Sequence, residues 1–109
     1  MGAIVTASGT GAEQNNGAVI THTKKKLKQP LTGAYYSFAI LDSDLTRTLP
    51  MGQVVSGAFD TLSHCMEIYM GKPQTDNLSD EINEAVMRNV IKNLRELIVD
   101  PDNDFARGD

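Results

Sequence analysis

The feature that most constrains this chain is a change of hydrophobic period partway along it. Up to residue 41 the apolar residues come in short β-branched runs, and from Thr48 to Val99 they recur at three- and four-residue intervals. A chain ordered this way builds strands first and helices second. Such segregation reads as an α+β unit or as the seam between two domains, with the junction near residues 46 to 50. At 109 residues the chain has the length of one domain, with little margin if its apolar faces expect further layers.

Three strands are predicted. AIVT (Ala3 to Thr6) and GAVIT (Gly17 to Thr21) flank SGTGAEQNN, whose glycines and asparagines mark a loop, and SFAIL (Ser37 to Leu41) follows a turn around Pro30 and Gly33. LDSD then ends the strand region. In the helical half, Thr48 is positioned to cap and Pro50 is tolerated in a first turn. Val54, Val55, Ala58, Phe59, Leu62, Met66 and Tyr69 form a helical stripe up to Gly71 and Pro73. A second helix runs from Thr75 or Asn77 to Val99, with Leu78, Ile82, Ala85, Val86, Val90, Leu94 and Leu97 as its stripe, widened by Ile91 and Ile98. Asp100-Pro101 stops it. A helix with so broad an apolar face wants more than one neighbour. DNDFARGD (Asp102 to Asp109) offers no obvious closing element, so the chain reads as a piece of something longer.

Composition excludes several function classes. The formal charge of -4 argues against a nucleic-acid partner, since Lys24, Lys25, Lys26 and Lys28 are the only basic cluster. No apolar run is long enough to span a bilayer, and the N-terminus lacks signal-peptide zones, so no membrane association is expected. The single cysteine, Cys65, precludes an internal disulfide and fits a reducing compartment, the cytoplasm by default.

The stretch GAFDTLSHCMEIYMG carries the candidate chemistry. Asp60 and His64, four positions apart on a helix whose context is apolar, share one face and can converge on a divalent ion such as iron or zinc. Glu67, one turn on, is a possible third ligand or an acceptor that orients the His64 ring. The spacing alone favours a plain Asp-His hydrogen bond that satisfies both groups. The apolar context favours an ion, because burying Asp60 without a cation is costly. Cys65 points about 100° away and reads as a core residue. Met51, Met66, Met70 and Met87 read as core packing, and Tyr35 and Tyr36 as strand-edge packing. TASGTGAEQNNG, Thr6 to Gly17, is able to present backbone N–H groups to phosphate or ribose but matches no phosphate-loop signature; taken alone it reads rather as an ordinary surface loop. The lysines read as a solvated turn, with Lys28 the one placed to point inward.

Taken in order, T-x-x-G-T-G-A-E-x-N-x-G-A-V-I, F-A-I-L-D, T-x-T-L-P and G-x-x-D-x-x-x-H-x-x-E-x-Y resemble the iron-containing alcohol dehydrogenase family, within it the butanol dehydrogenase and aldehyde reductase branch. The resemblance covers nearly the whole chain. It implies that residues 1–47 are the C-terminal part of a dinucleotide-binding α/β domain and residues 48–109 the N-terminal part of a helical metal-binding domain. It further implies an NAD- or NADP-dependent, metal-dependent interconversion of an alcohol and its aldehyde or ketone. Asp60 and His64 match two metal ligands, the other two being histidines of later helices. Thr6, Asn15 and Lys28 match cofactor contacts, and Leu45 a position beside the nicotinamide. The chain has Ala12 where relatives often have Ser, and LDSD in place of LDP. His22 matches no ligand.

The resemblance implies a homo-oligomer for an intact parent, and no dehydrogenase activity for these residues alone. Two other readings stand beside it: a non-enzymatic remnant or interaction module that associates with another chain, and a small metal-binding protein that completes its site by dimerising. On the first reading Asp60 and His64 should lie close together without a tightly bound ion.

Overall fold

In the computed structural model, which describes residues 1–71 and 77–108, the elements follow the change of period. Four strands, β1 (Gly2–Val5), β2 (Gly17–His22), β3 (Leu27–Thr32) and β4 (Phe38–Leu41), precede α1 (Met51–Tyr69), α2 (Leu78–Val99) and the short α3 (Asp104–Gly108). The positions Pro73 and Thr75, expected near the helix ends, lie outside the described residues. The architecture is a small α+β arrangement divided into two compact units, Met1–Val5 with Gly11–Leu41 and Thr6–Thr10 with Asp42–Asp109.

In the first unit β1 and β4 pair in parallel, with Gly2 opposite Phe38 and Val5 opposite Leu41. The exposed Phe38 ring lies over Gly2, in the space that a side chain at residue 2 would take, so a larger residue there would turn the ring aside. β2 and β3 form an antiparallel hairpin, with Gly17 opposite Thr32 and His22 opposite Leu27. β3 was not expected: Pro30, read as a turn, lies opposite Val19 within it. A proline is tolerated there because a strand in a two-stranded sheet has one edge that needs no ladder donor. The lysine run forms the hairpin turn, as anticipated. Thr23–Lys25 make one 3-10 turn, Lys26 closes it in the left-handed region at φ 50°, and the Lys25 N–H donates to His22 Nδ1 at 3.3 Å.

In the second unit Asp42 accepts from the Asp44 N–H at 3.0 Å and starts a 3-10 turn over Ser43–Thr46. Thr48 does not cap α1. The residue before the helix is Pro50, whose carbonyl accepts from the N–H groups of Gln53 and Val54 at 2.8 and 3.2 Å. Asn77 does cap α2, accepting from the N–H groups of Ser79 and Asp80 at 2.9 and 3.3 Å. Within DNDFARGD, expected to close nothing, Asp104–Gly108 fold into α3. Asn103 Oδ1 accepts from the Ala106 N–H, Ala106 is buried, and Arg107 donates to the carbonyls of Thr46 and Pro101 at 3.2 and 2.9 Å. Arg47 pairs with both Asp44 and Asp104, tying α3 to the 3-10 turn.

α1 and α2 pack against each other, and Tyr69 donates to Glu84 Oε1 at 3.0 Å between them. The expected α2 stripe divides. Val90 and Leu94 are half-buried and Leu97 is buried, whereas Leu78, Ile82 and Val86 are exposed, Leu78 by 72%. The buried positions toward the N-terminal end include Asn83, whose amide donates to the Ser79 carbonyl at 2.9 Å. One neighbouring helix covers only part of so wide an apolar face. The same holds on α1, where Phe59 and Met66, and Met70 just after it, are exposed although their spacing marks them as core, while Cys65 is buried as expected. Among the described residues no helix is long and apolar enough to cross a membrane.

Candidate functional site

α1 carries Asp60 and His64 on one face because four residues make slightly more than one helical turn. His64 Nε2 stands 3.7 Å from Asp60 Oδ1. That separation exceeds a hydrogen bond, which needs about 3.2 Å or less. It lies near the roughly 3.4 Å that separates two ligands at about 2.0 to 2.1 Å from one tetrahedral ion. The pair was expected in a buried setting, and the structure corrects this: the side chains are 45% (Asp60) and 57% (His64) exposed. The desolvation argument for a cation therefore lapses, and the geometry and donor chemistry carry the case. A carboxylate oxygen and an imidazole nitrogen turned toward solvent at this spacing fit half of a four-ligand site. Glu67 does not complete it, since among the described residues no group of three His, Cys, Asp or Glu side chains is placed to hold an ion.

A second element of the same unit lies against this turn of α1. The segment Thr6–Thr10 approaches so closely at Gly57 that a Cβ there would stand 2.6 Å from the Ser8 carbonyl oxygen. Gly9 has φ +131°, a left-handed conformation open mainly to glycine, and a Cβ on it would stand 3.0 Å from Asp60 Oδ2. The hydroxyl-rich loop thus runs beside the carboxylate. Sequence reasoning quoted Gly9 and Gly57 within motifs without giving them this part. Their signal is the glycine three residues before Asp60 in a helix that otherwise gains nothing from one.

The other expected site residues divide between the units. Thr6, exposed at the start of the loop, and Leu45, 41% exposed in the 3-10 turn, belong with Asp60 and His64 in the second. Asn15 and Lys28 belong to the first. Asn15 fastens its own loop, accepting from the Gly17 N–H at 2.9 Å and donating to the Gly11 carbonyl at 3.1 Å. Lys28, thought to point inward, is exposed on β3. A cavity of about 330 Å³ in the second unit is lined by residues of α1, α2 and α3, including Val54, Leu97 and Arg107, and by Ala7 and Ser8 of the loop. Neither Asp60 nor His64 borders it.

No family model matches the chain. It is 34% identical over 105 residues to the NADPH-dependent aldehyde reductase YqhD of Escherichia coli strain K12, an alignment covering 94% of this chain and 27% of that protein. The crystal structure of NADH-dependent butanol dehydrogenase A from Thermotoga maritima matches with a TM-score of 0.83 and 37% identity, over 98% of this chain and 27% of that one. An iron-containing alcohol dehydrogenase of Thermotoga maritima matches with a TM-score of 0.75 and 28% identity, over 98% and 29%. The chain spans about a quarter of the length of the curated relatives it matches. With one fold over nearly its whole extent and about a third of its residues in common with such relatives, the chain matches a segment, about a quarter of the length, of butanol dehydrogenases, aldehyde reductases and iron-containing alcohol dehydrogenases.

Proposed function

We propose that the chain supplies one part of the active site of an NAD(P)- and metal-dependent oxidoreductase that interconverts an alcohol and its aldehyde or ketone. The observation that carries this is the Asp60–His64 pair, 3.7 Å apart on one face of α1 in a chain that matches a segment of such enzymes. On this reading residues 1–47 come from the dinucleotide-binding domain and residues 48–109 from the helical metal-binding domain. The intact protein acts in the cytoplasm as a homo-oligomer. Relatives named for NADPH and for NADH both support a nicotinamide cofactor, and the iron-containing relative supports a divalent ion, iron or zinc.

Asp60 and His64 would hold the metal. The bound ion supplies a Lewis acid for the substrate oxygen, and the nicotinamide supplies or accepts the hydride. The residues of this chain bind and orient. Asp60 would contribute negative charge and His64 an imidazole nitrogen to the ion. Thr6 and Leu45 in the second unit, and Asn15 and Lys28 in the first, are assigned to the cofactor: hydroxyl, amide and ammonium groups toward its polar parts, and Leu45 toward the ring. An interaction module without catalysis is the less favoured reading, because the similarity runs through the whole chain to enzymes.

The test is to replace the matching segment of Escherichia coli YqhD with this chain and measure NADPH-dependent aldehyde reduction. A folded chimera should be active, and Asp60→Asn and His64→Ala should each abolish most of that activity and lower the metal content. A folded chimera whose rate and metal content ignore both substitutions would refute the assignment. The chain by itself is expected to show no appreciable alcohol-dependent NAD(P)H formation.

A further inference from the structure

A close backbone approach in the second unit involves two glycines on separate segments, and both lie at Asp60. Gly57 precedes Asp60 by three positions, so its Cα lies on nearly the same face of α1. The Ser8 carbonyl occupies the space where a Cβ of residue 57 would be, at 2.6 Å, and Gly57 Cα itself comes within 3.4 Å of a Cβ built on Gly9. The Gly57 carbonyl also accepts from Thr61 Oγ1 at 3.0 Å, which ties down the next turn of the helix. Gly9 in turn faces Asp60 Oδ2, with 3.0 Å available for a side chain that is not there. Gly57 is not explained by the local needs of its helix, where a glycine costs stability. Gly9 is required by its own φ of +131°, and it is that conformation which brings it against Asp60 and Gly57.

We propose that Gly9 and Gly57 are positioning residues: together they seat the Thr6–Thr10 loop directly on the α1 turn that bears Asp60, fixing the carboxylate and the loop as one body. The proposal rests on the reading above in so far as Asp60 is a metal ligand. It adds that the ligand's orientation is set by a loop carrying the hydroxyl groups of Thr6, Ser8 and Thr10, so that any ion on Asp60 lies beside that loop. A metal ligand held from one side loses fewer conformations on binding than a free one.

The test uses the full chain labelled with 15N and 13C. Without metal, Gly57→Ala should move the amide resonances of Ser8 and Gly9 and the carboxyl carbon of Asp60. Gly52→Ala, with open space around that residue, should move none of them. Gly9→Ala should also move the Asp60 carboxyl carbon; it alters the loop and leaves the helix sequence intact, so it serves if Gly57→Ala fails to fold. An Asp60 carboxyl signal unchanged by both substitutions overturns the proposal. Adding Mn²⁺ alone should then broaden signals of Asp60 and His64 together with the Gly9 amide in the unaltered chain. In Gly57→Ala the His64 broadening should persist while that at Gly9 is reduced. Broadening at His64 with none at Gly9 in the unaltered chain also overturns the positioning. Absence of broadening at His64 counts against the metal reading instead, and the metal-free result then decides the positioning.

Discussion

Gly52 and Gly57 lie in the same helix, yet alanine at the two positions should have opposite effects on stability. At Gly52 no atom lies within 4 Å of an added Cβ. The substitution gains only helix propensity, up to about 1 kcal/mol in a helix interior and about half of that in a first turn. At Gly57 the propensity gain approaches the full amount. Against it, the new methyl group stands 2.6 Å from the Ser8 carbonyl oxygen, about 0.8 Å inside ordinary contact. The obstacle is backbone, so relief requires moving either the loop or the helix. Overpacking of this kind costs roughly 1 to 3 kcal/mol, leaving a net loss of about 1 kcal/mol once propensity is credited. For a unit of this size 1 kcal/mol corresponds to about 4 to 8 °C in Tm. Thermal unfolding followed by circular dichroism should therefore show Gly57→Ala lower by about that much and Gly52→Ala higher by roughly 2 to 4 °C. If Gly57→Ala is as stable as Gly52→Ala, or more so, the loop is not seated on the helix and the reasoning fails.

Two further outcomes follow from the second unit. Asn77→Ala removes the only side-chain cap of α2 among its described residues and should cost about 1 kcal/mol, whereas Asn77→Gly should cost a few tenths, measured by urea unfolding. The hydrogen bond from Arg88, and after it that from Tyr69, hold the Glu84 carboxyl below its ordinary value of 4.5. Because the folded-state pKa is the lower one, this contribution is present above about pH 4.5 and is lost as the pH falls through the folded value. Arg88→Ala should raise the pKa of Glu84 in an NMR titration and flatten that acid limb; an unmoved titration would show the ion pair to be absent in solution.

Much of the chain was legible before folding because the deciding interactions are local. The switch from β-branched runs to a helical period places β1, β2, β4, α1 and α2, and the helix repeat alone puts Asp60 and His64 on one face, 3.7 Å apart. The sequence left the start of α2 between Thr75 and Asn77, and the structure shows Asn77 capping through N–H groups two and three residues on. What only the tertiary structure decided depends on segments distant in sequence. Pro30 forms part of a strand because Val19 pairs opposite it, and DFARG becomes a helix because Arg107 reaches Thr46. The α2 stripe buries Leu97 and exposes Leu78 because α1 covers one part of a face whose periodicity is uniform. Gly57 looks like a defect in a helix until Ser8 is laid against it. A sequence pattern states which surfaces want covering; which of them are covered, and which backbone must be bare to allow it, is settled by the partner that arrives.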